Sequence, residues 1–469
     1  MSYSEKPGFF ERLFGRKADE AEAGSKPVSD SPEPAMPTAT QPARTQPALT
    51  RPVPVRTIAS AAPMAEQRRS GPPPAPQPGP SLPKFSRAAG RNPGAARNAS
   101  NSSRVRDAFT PSHPISQAQR FAGRRDLIEK LIHLIEDQRL HVVLYGDRGI
   151  GKTSILKIVS NLAREAEYHV SYASCGSDTS FDSLFRQFAR ELPLLFHRNY
   201  PPTHPDVEAG RTFAHLMPDR DLTVADVTAV LENVQGTQIL LIVDEFDRVA
   251  SARMREQIAE VIKNLSDRGA SIQFFIAGVA SNLTALVSHI PSIRRNLIGI
   301  PVSPLDPEET AQVIEAGARR SGLAFTDEAT SEIAALSRGL PYLAQLLGLH
   351  ASFAAAKRDA GEVERADVSA AASHAEEEIG LRMSEKGLRA VDQAIENVGI
   401  SSVRSLAEHA LMNNGQLDPR EVDVLDDRSR DSLLETADEE EGGWRFREEA
   451  AIPYIWLKGR ETTARQTRD

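Results

Sequence analysis

A single cysteine in 469 residues, Cys175, excludes an intrachain disulfide framework and suits a reducing compartment. It is read as the end of a buried strand, with no catalytic role. No apolar run approaches the roughly 20 residues that a membrane-spanning helix needs. The N-terminus also lacks the apolar core of a secretory signal, so a cytoplasmic chain is expected. Cations are scarce where a general nucleic-acid binder would need them. The net charge is −8, but residues 1–120 carry about +8, which leaves about −16 on the rest. An acidic folded part argues against broad, non-specific nucleic-acid binding, while the basic N-terminal tail is free to meet something acidic.

Residues 20–112 are rich in Pro, Ala, Ser, Gln and Arg and carry no hydrophobic period. Such a segment cannot bury enough surface to offset its ordering entropy, so a disordered linker is expected. Ahead of it, residues 1–19 hold Phe9, Phe10, Leu13 and Phe14 at helical spacing between basic residues. Two readings of this segment stay open: an idle terminus, or a docking peptide. A docking peptide would seek either a partner's groove or the inner face of the membrane, as a peripheral contact.

The densest chemistry lies at Gly146-Asp147-Arg148-Gly149-Ile150-Gly151-Lys152-Thr153, a complete GxxxxGK(S/T) loop. The apolar run 141–145 precedes it and a helical pattern opens at Ser154, which is the strand–loop–helix setting this motif requires. Glycines let backbone N–H groups close around phosphates, and the helix N-terminus adds partial positive charge. Lys152 is expected to reach the β- and γ-phosphates, and Thr153 to hold Mg2+ through its hydroxyl. A second apolar, β-branched run, 239–243, ends in Asp244-Glu245. Asp244 there can bind Mg2+ through water, and Glu245 can polarise an attacking water. The expected ligands are therefore ATP and Mg2+.

Strands near 141–145, 168–175, 239–243, 272–277 and 297–302 alternate with helices. That alternation implies an α/β fold, a parallel sheet sandwiched by helices. The ATPase core is assigned to residues 113–305, with 193–221 as an insertion. Residues 306–382 then show 3.6-residue apolar spacing and read as an all-α lid, its helices capped at Asp306 and Thr326. Residues 383–460 suggest a winged-helix unit, with helices near 386–397, 402–413 and 428–436 and a strand at 443–447. Residues 461–469 are a disordered tail.

On these motifs, residues 115–380 resemble the AAA+/STAND branch of P-loop ATPases, close to the initiator-like (origin-recognition-type) ATPase domain. Phe121-Ala-Gly-Arg124 is similar to the element preceding such domains, which implies a nucleotide-edge role for Arg124. Asn282, after the fourth strand, matches the first sensor. Arg294 and Arg295 match the segment that carries a trans-acting arginine finger. Gly339-Leu-Pro341 is similar to the Gly-x-Pro element of STAND lids, which implies that Pro341 touches nucleotide. One departure stands out: the helix after Gly339 lacks the arginine usual in initiator lids, and Arg338 lies before the glycine. Slow turnover suits this better than a continuous motor.

Two functions follow from the resemblance. The first is a regulatory or assembly switch driven by slow Mg-dependent ATP hydrolysis. It would meet protein partners through the C-terminal unit and the N-terminal segment, with a nucleotide-dependent homo-oligomer as one outcome. The second is a DNA-binding, initiator- or loader-like ATPase. It is less favoured, because acids at 423–427 and 435–441 would repel phosphates.

Overall fold

The computed structural model describes residues 102–280, 295–413, 415–436 and 443–458, all within one compact unit. The expected N-terminal docking segment and most of the linker, the segment with Asn282 and Arg294, and the 461–469 tail lie outside these residues. Among the described residues no helix is long and apolar enough to cross a membrane.

Five strands form the central sheet: β1 (His141–Tyr145), β2 (His169–Ser174), β3 (Ile239–Asp244), β4 (Ile272–Gly278) and β5 (Leu297–Pro301). All pairings are parallel, in the order β2-β3-β4-β1-β5. Every residue of β3 and β4 is buried, which explains their unbroken apolar runs: strands covered on both faces show no alternation. Pro301 falls on the edge strand, where its missing N–H costs no ladder bond. The covering helices are α2 (Arg125–Glu136), α3 (Lys152–Glu165), α4 (Phe181–Glu191), α5 (Val224–Leu231) and α6 (Ala252–Asp267). Parallel neighbours require such crossovers. This is the P-loop NTPase arrangement, an α/β fold. The 193–221 segment packs onto the same core through buried Leu194, Phe213 and Met217.

Four helices follow: α7 (Pro307–Ser321), α8 (Asp327–Ser337), α9 (Pro341–Lys357) and α10 (Arg365–Gly380). Asp306 and Glu309 form a reciprocal capping box at the start of α7, and the Thr326 hydroxyl accepts from the Ala329 N–H at the start of α8. Next come α11 (Glu385–Val398), α12 (Ile400–Met412) and α13 (Asp427–Leu433). Leu434–Thr436 pairs antiparallel with Trp444–Phe446, and Leu417 bridges to Trp444. Helix α14 (Ala451–Lys458) is the last of the described elements. The helix expected over 428–436 therefore stops at Leu433. Leu434 turns extended (φ −117°, ψ 161°) and pairs with Phe446 instead.

Order begins earlier than the sequence pattern marks. Residues 102–108, within the expected linker, form helix α1, and Val105, Ala108 and Phe109 are buried. The Phe109 ring packs beside Gly317 and Gly348, where an added Cβ would overlap it, and lies 5.9 Å from the Phe325 ring. The Thr110 N–H donates to Gln345 Oε1 at 3.0 Å, and Arg320 donates to the Ala108 carbonyl at 3.0 Å. Two turns with three apolar residues, Val105, Ala108 and Phe109, give too little periodicity to see in a Pro/Ala-rich tract. Phe109→Ala is expected to destabilise the protein by about 3–5 kcal/mol, because the helical layer cannot collapse onto the vacated volume. Equilibrium urea unfolding checks this, and a change under about 1 kcal/mol would mean that α1 is only loosely applied.

Candidate nucleotide site

Between β1 and α3, Gly146, Gly149 and Gly151 take φ values of 142°, 76° and 98°, conformations that L side chains rarely adopt. They turn the backbone around a small hollow at the N-terminus of α3, which suits an anion. Lys152 is buried, and its ammonium donates to the Gly146 and Asp147 carbonyls at 2.7 Å each. These are the loop's own acceptors, which a phosphate could replace. Burial lowers the Lys152 pKa to about 8 against the pull of Asp247, Asp147, Glu449 and Asp244. Ile150 is buried and anchors the loop, while Arg148 is largely exposed. The Ser154 hydroxyl accepts from the Ile115 N–H at 3.1 Å, so it ties the preceding segment to α3.

Asp244 ends β3, one strand away from β1, and is buried. One carboxylate oxygen accepts from the Tyr172 hydroxyl at 2.5 Å and the other from the Glu245 N–H at 2.9 Å. Burial, then the bond to Asp244, pushes the Tyr172 phenol up, so it stays a donor. Glu245 adopts φ 54°, a strained conformation for a non-glycine residue. Its carboxylate accepts from Arg248 at 2.9 Å and Ser174 at 3.2 Å. Asp247 accepts from the Val279 N–H at 2.8 Å and so links this turn to the end of β4. Burial raises the Cys175 thiol to about 12, which keeps it protonated and unreactive. Among the described residues, Thr153 and Asp244 could hold a magnesium ion and the loop N–H groups could hold phosphates, so the donor set fits both.

Arg124 is buried and takes φ 56° at the start of α2. Its guanidinium donates to the Ile150 carbonyl at 2.5 Å and to the Ser303 carbonyl at 2.7 Å, and its backbone N–H donates to Glu309 at 2.6 Å. Burial lowers its pKa to about 10, which leaves it charged at neutral pH. These three bonds hold Arg124 between the phosphate loop, the β5–α7 connection and the start of α7. Pro341 stands beside Gly151: a Cβ added there would lie 3.7 Å from the proline ring and 3.1 Å from the Arg124 guanidinium. Gly339 (φ 74°) permits this approach, since a Cβ on it would collide with the backbone of Leu305. Arg338 turns away instead. It pairs with Glu408, and its guanidinium lies 4.2 Å from the Trp456 ring centre, which Arg404 also approaches at 3.6 Å.

Arg295 is exposed, just ahead of β5. The register sets Leu297 beside His141 and Pro301 beside Tyr145. Arg295 therefore lies two residues before the start of β1, roughly 20–25 Å from the loop of its own chain.

Residues that the motifs did not reveal also meet the loop. A cleft of about 550 Å3 is lined by Asp147, Arg148 and Gly149 together with Gly415, Arg445 and Glu449. Glu449 pairs with Arg148 at 3.5 Å, and a Cβ added at Gly415 would lie 2.8 Å from the Asp147 carboxylate. Burial here raises the Asp147 carboxyl to about 7. No local pattern announces these contacts. Tyr172, half-buried on β2 in register two residues before the Asp244 position, likewise carries no local mark of its bond to Asp244.

The strand order, the glycine loop and the acidic strand end define a P-loop NTPase. The chain belongs to the novel STAND NTPase 1 family, whose model matches residues 108–362. It is similar to the Holliday junction branch migration complex subunit RuvB of Gluconobacter oxydans, 27% identical over 308 residues, which is 62% of this chain and 70% of that protein. The same subunit of Rickettsia africae is 24% identical over 258 residues, covering 51% of this chain and 60% of the relative. Among solved structures, a Walker-type ATPase of Pyrococcus abyssi matches 74% of this chain and 98% of its own at a TM-score of 0.45 and 13% identity. Cdc6p of Pyrobaculum aerophilum matches 76% of this chain and 98% of its own at 0.42 and 17%.

Arg124→Ala removes the donor to the buried Ile150 carbonyl and to the Ser303 carbonyl, and is expected to cost about 2–4 kcal/mol of stability. Arg124→Lys should recover only part of it, since one ammonium cannot reproduce the planar fork. Chemical denaturation measures both, and full recovery by lysine would mean that charge alone is needed.

Proposed function

We propose that the chain is an ATP-binding regulatory or assembly switch that hydrolyses ATP slowly with Mg2+. The observation that carries this reading is the contact of the C-terminal region with the phosphate loop of its own chain, through Glu449 on Arg148 and Gly415 on Asp147. A loop covered in this way couples nucleotide occupancy to the position of the covering part. In the proposed assignment, Lys152 and the N–H groups of the 146–154 segment hold phosphates. Thr153 and Asp244 hold magnesium, and Pro341 borders the nucleotide. Glu245 is the base, freed from Arg248 when water must be polarised. Asn282 is assigned as the γ-phosphate sensor. Arg294 and Arg295 are assigned to a neighbouring subunit's site, which the distance of Arg295 from its own loop supports.

Residues 306–382 act as the lid and 383–460 as a winged-helix unit, the latter supported by the helices and hairpin after Ser384. This unit and the N-terminal segment meet protein partners. DNA is the less favoured partner: on α13 and the hairpin, Arg430 pairs with Asp427 and Arg445 with Glu435, so these cations are already neutralised.

Lys152→Ala should abolish nucleotide binding. Glu245→Gln should bind normally and lose turnover by about 100-fold or more. Titration with a fluorescent nucleotide and phosphate-release assays read both. Turnover per subunit should also rise with protein concentration if the arginines act in trans. Parental hydrolysis by Glu245→Gln would remove the assignment of the base.

A further inference from the structure

Strand β2 lends a hydroxyl to the acid that ends β3. The two strands run parallel in register, with Tyr172 beside Ile242 and Ser174 beside Asp244. Side chains two residues apart share one face of a strand, so Tyr172 stands on the Asp244 face, one repeat behind it. Two residues of strand advance about 6.6 Å, a span that a tyrosine ring covers and a serine or threonine does not. The Tyr172 hydroxyl reaches across it and donates to one Asp244 oxygen at 2.5 Å. Gln187 on α4 donates to the Tyr172 carbonyl at 3.3 Å and steadies the backbone from which the ring projects. The other Asp244 oxygen accepts from the Glu245 N–H at 2.9 Å. Each oxygen thus has a donor, and the carboxylate cannot rotate without breaking a bond. These bonds use two of the about four acceptor positions of an ionised carboxylate, which leaves the others for a metal or its waters. The strand pairing has no need of the phenol: the β2–β3 ladder runs from His169 to Ser174 through the main chain. What the hydroxyl contributes is orientation of a buried acid.

We propose that Tyr172 is a positioning residue for the magnesium that Thr153 and Asp244 would hold: its hydroxyl fixes the rotation of the Asp244 carboxylate, and with it the positions left for the metal or its waters. Tyr172 touches neither metal nor nucleotide in this role and acts only through Asp244. Partners of this kind, behind a metal ligand, are worth about 10–100-fold in metal affinity. The inference deepens the proposed reading of the site and rests on it.

The test is a titration of the full chain with Mn2+, a paramagnetic stand-in for magnesium, in the presence of ADP and read by electron paramagnetic resonance. The parent is compared with Tyr172→Phe, Tyr172→Leu and Asp244→Asn. Tyr172→Phe keeps the ring and removes only the hydroxyl. It should weaken Mn2+ binding by about tenfold and leave the affinity for ADP without metal at the parental value. Tyr172→Leu, which also removes the ring, should weaken Mn2+ binding to the same extent. Parental Mn2+ affinity in Tyr172→Phe would overturn the proposal, and a loss confined to Tyr172→Leu would assign the residue to ring packing. Tighter Mn2+ binding in Tyr172→Phe would also overturn it, because the hydroxyl would then compete with the metal for Asp244. So would an equal loss of metal-free ADP affinity, the mark of a general loosening. Parental Mn2+ affinity in Asp244→Asn, or no Mn2+ binding by the parent, would instead remove the magnesium assignment and the proposal with it.

Discussion

One buried guanidinium joins three parts of the chain on which the candidate site depends. Arg124 reaches the glycine loop at Ile150 and the β5–α7 connection at Ser303, and its N–H meets Glu309, 185 residues away in sequence. Glu309 also closes the capping box of α7 with Asp306. The start of the core, the loop and the first helix after the sheet are thus tied at a single point. A charge buried this deeply is tolerable only because carbonyl dipoles and a carboxylate surround it. The same fastening brings Pro341 against Gly151 and Tyr342 against Gly149, so the loop acquires a wall from the helical layer. A small shift at Arg124 would be felt at the loop, since close-packed interiors transmit strain.

What could be read from the sequence was what local chemistry dictates. The glycine loop needs its glycines, Lys152 and a following helix in contiguous order, and β3 needs an unbroken apolar run to be buried on both faces. Both therefore appear as motifs. The caps at Asp306 and Thr326 are equally local. Illegible were the features made by distant pairs: Tyr172 on Asp244, Glu449 on Arg148, Gly415 on Asp147 and Arg338 on Trp456. None has a spacing rule, because each depends on how whole layers pack. Arg124 shows both sides. Its motif context marked it as special, while its actual partners, two main-chain carbonyls and Glu309, could be found only in three dimensions. The α1 helix was missed for a related reason: its three buried residues gain their worth from a groove floored by Gly317 and Gly348.

The departure noticed in the lid also acquires a physical sense. Initiator-type lids carry an arginine after the glycine, and here the nearby Arg338 is committed to Glu408 and the Trp456 ring. A cation that could have served the phosphates instead joins the helical layer to α12 and α14. On the proposed reading, this joint and the Arg148–Glu449 pair act together: one fixes the C-terminal region to the helices beside the loop, and the other meets the loop itself. The product is a site that favours rest over turnover, in keeping with a switch.

The central claim is that nucleotide on the 146–153 loop and the 444–450 segment answer to each other. Hydrogen–deuterium exchange on the free protein, with Mg-ADP and with a non-hydrolysable Mg-ATP analogue, tests it most directly. Both nucleotides should slow exchange at 146–153. Exchange at 444–450 should differ from that of the free protein with at least one of the two nucleotides. Protection of 146–153 by both nucleotides with identical exchange at 444–450 would contradict the coupling.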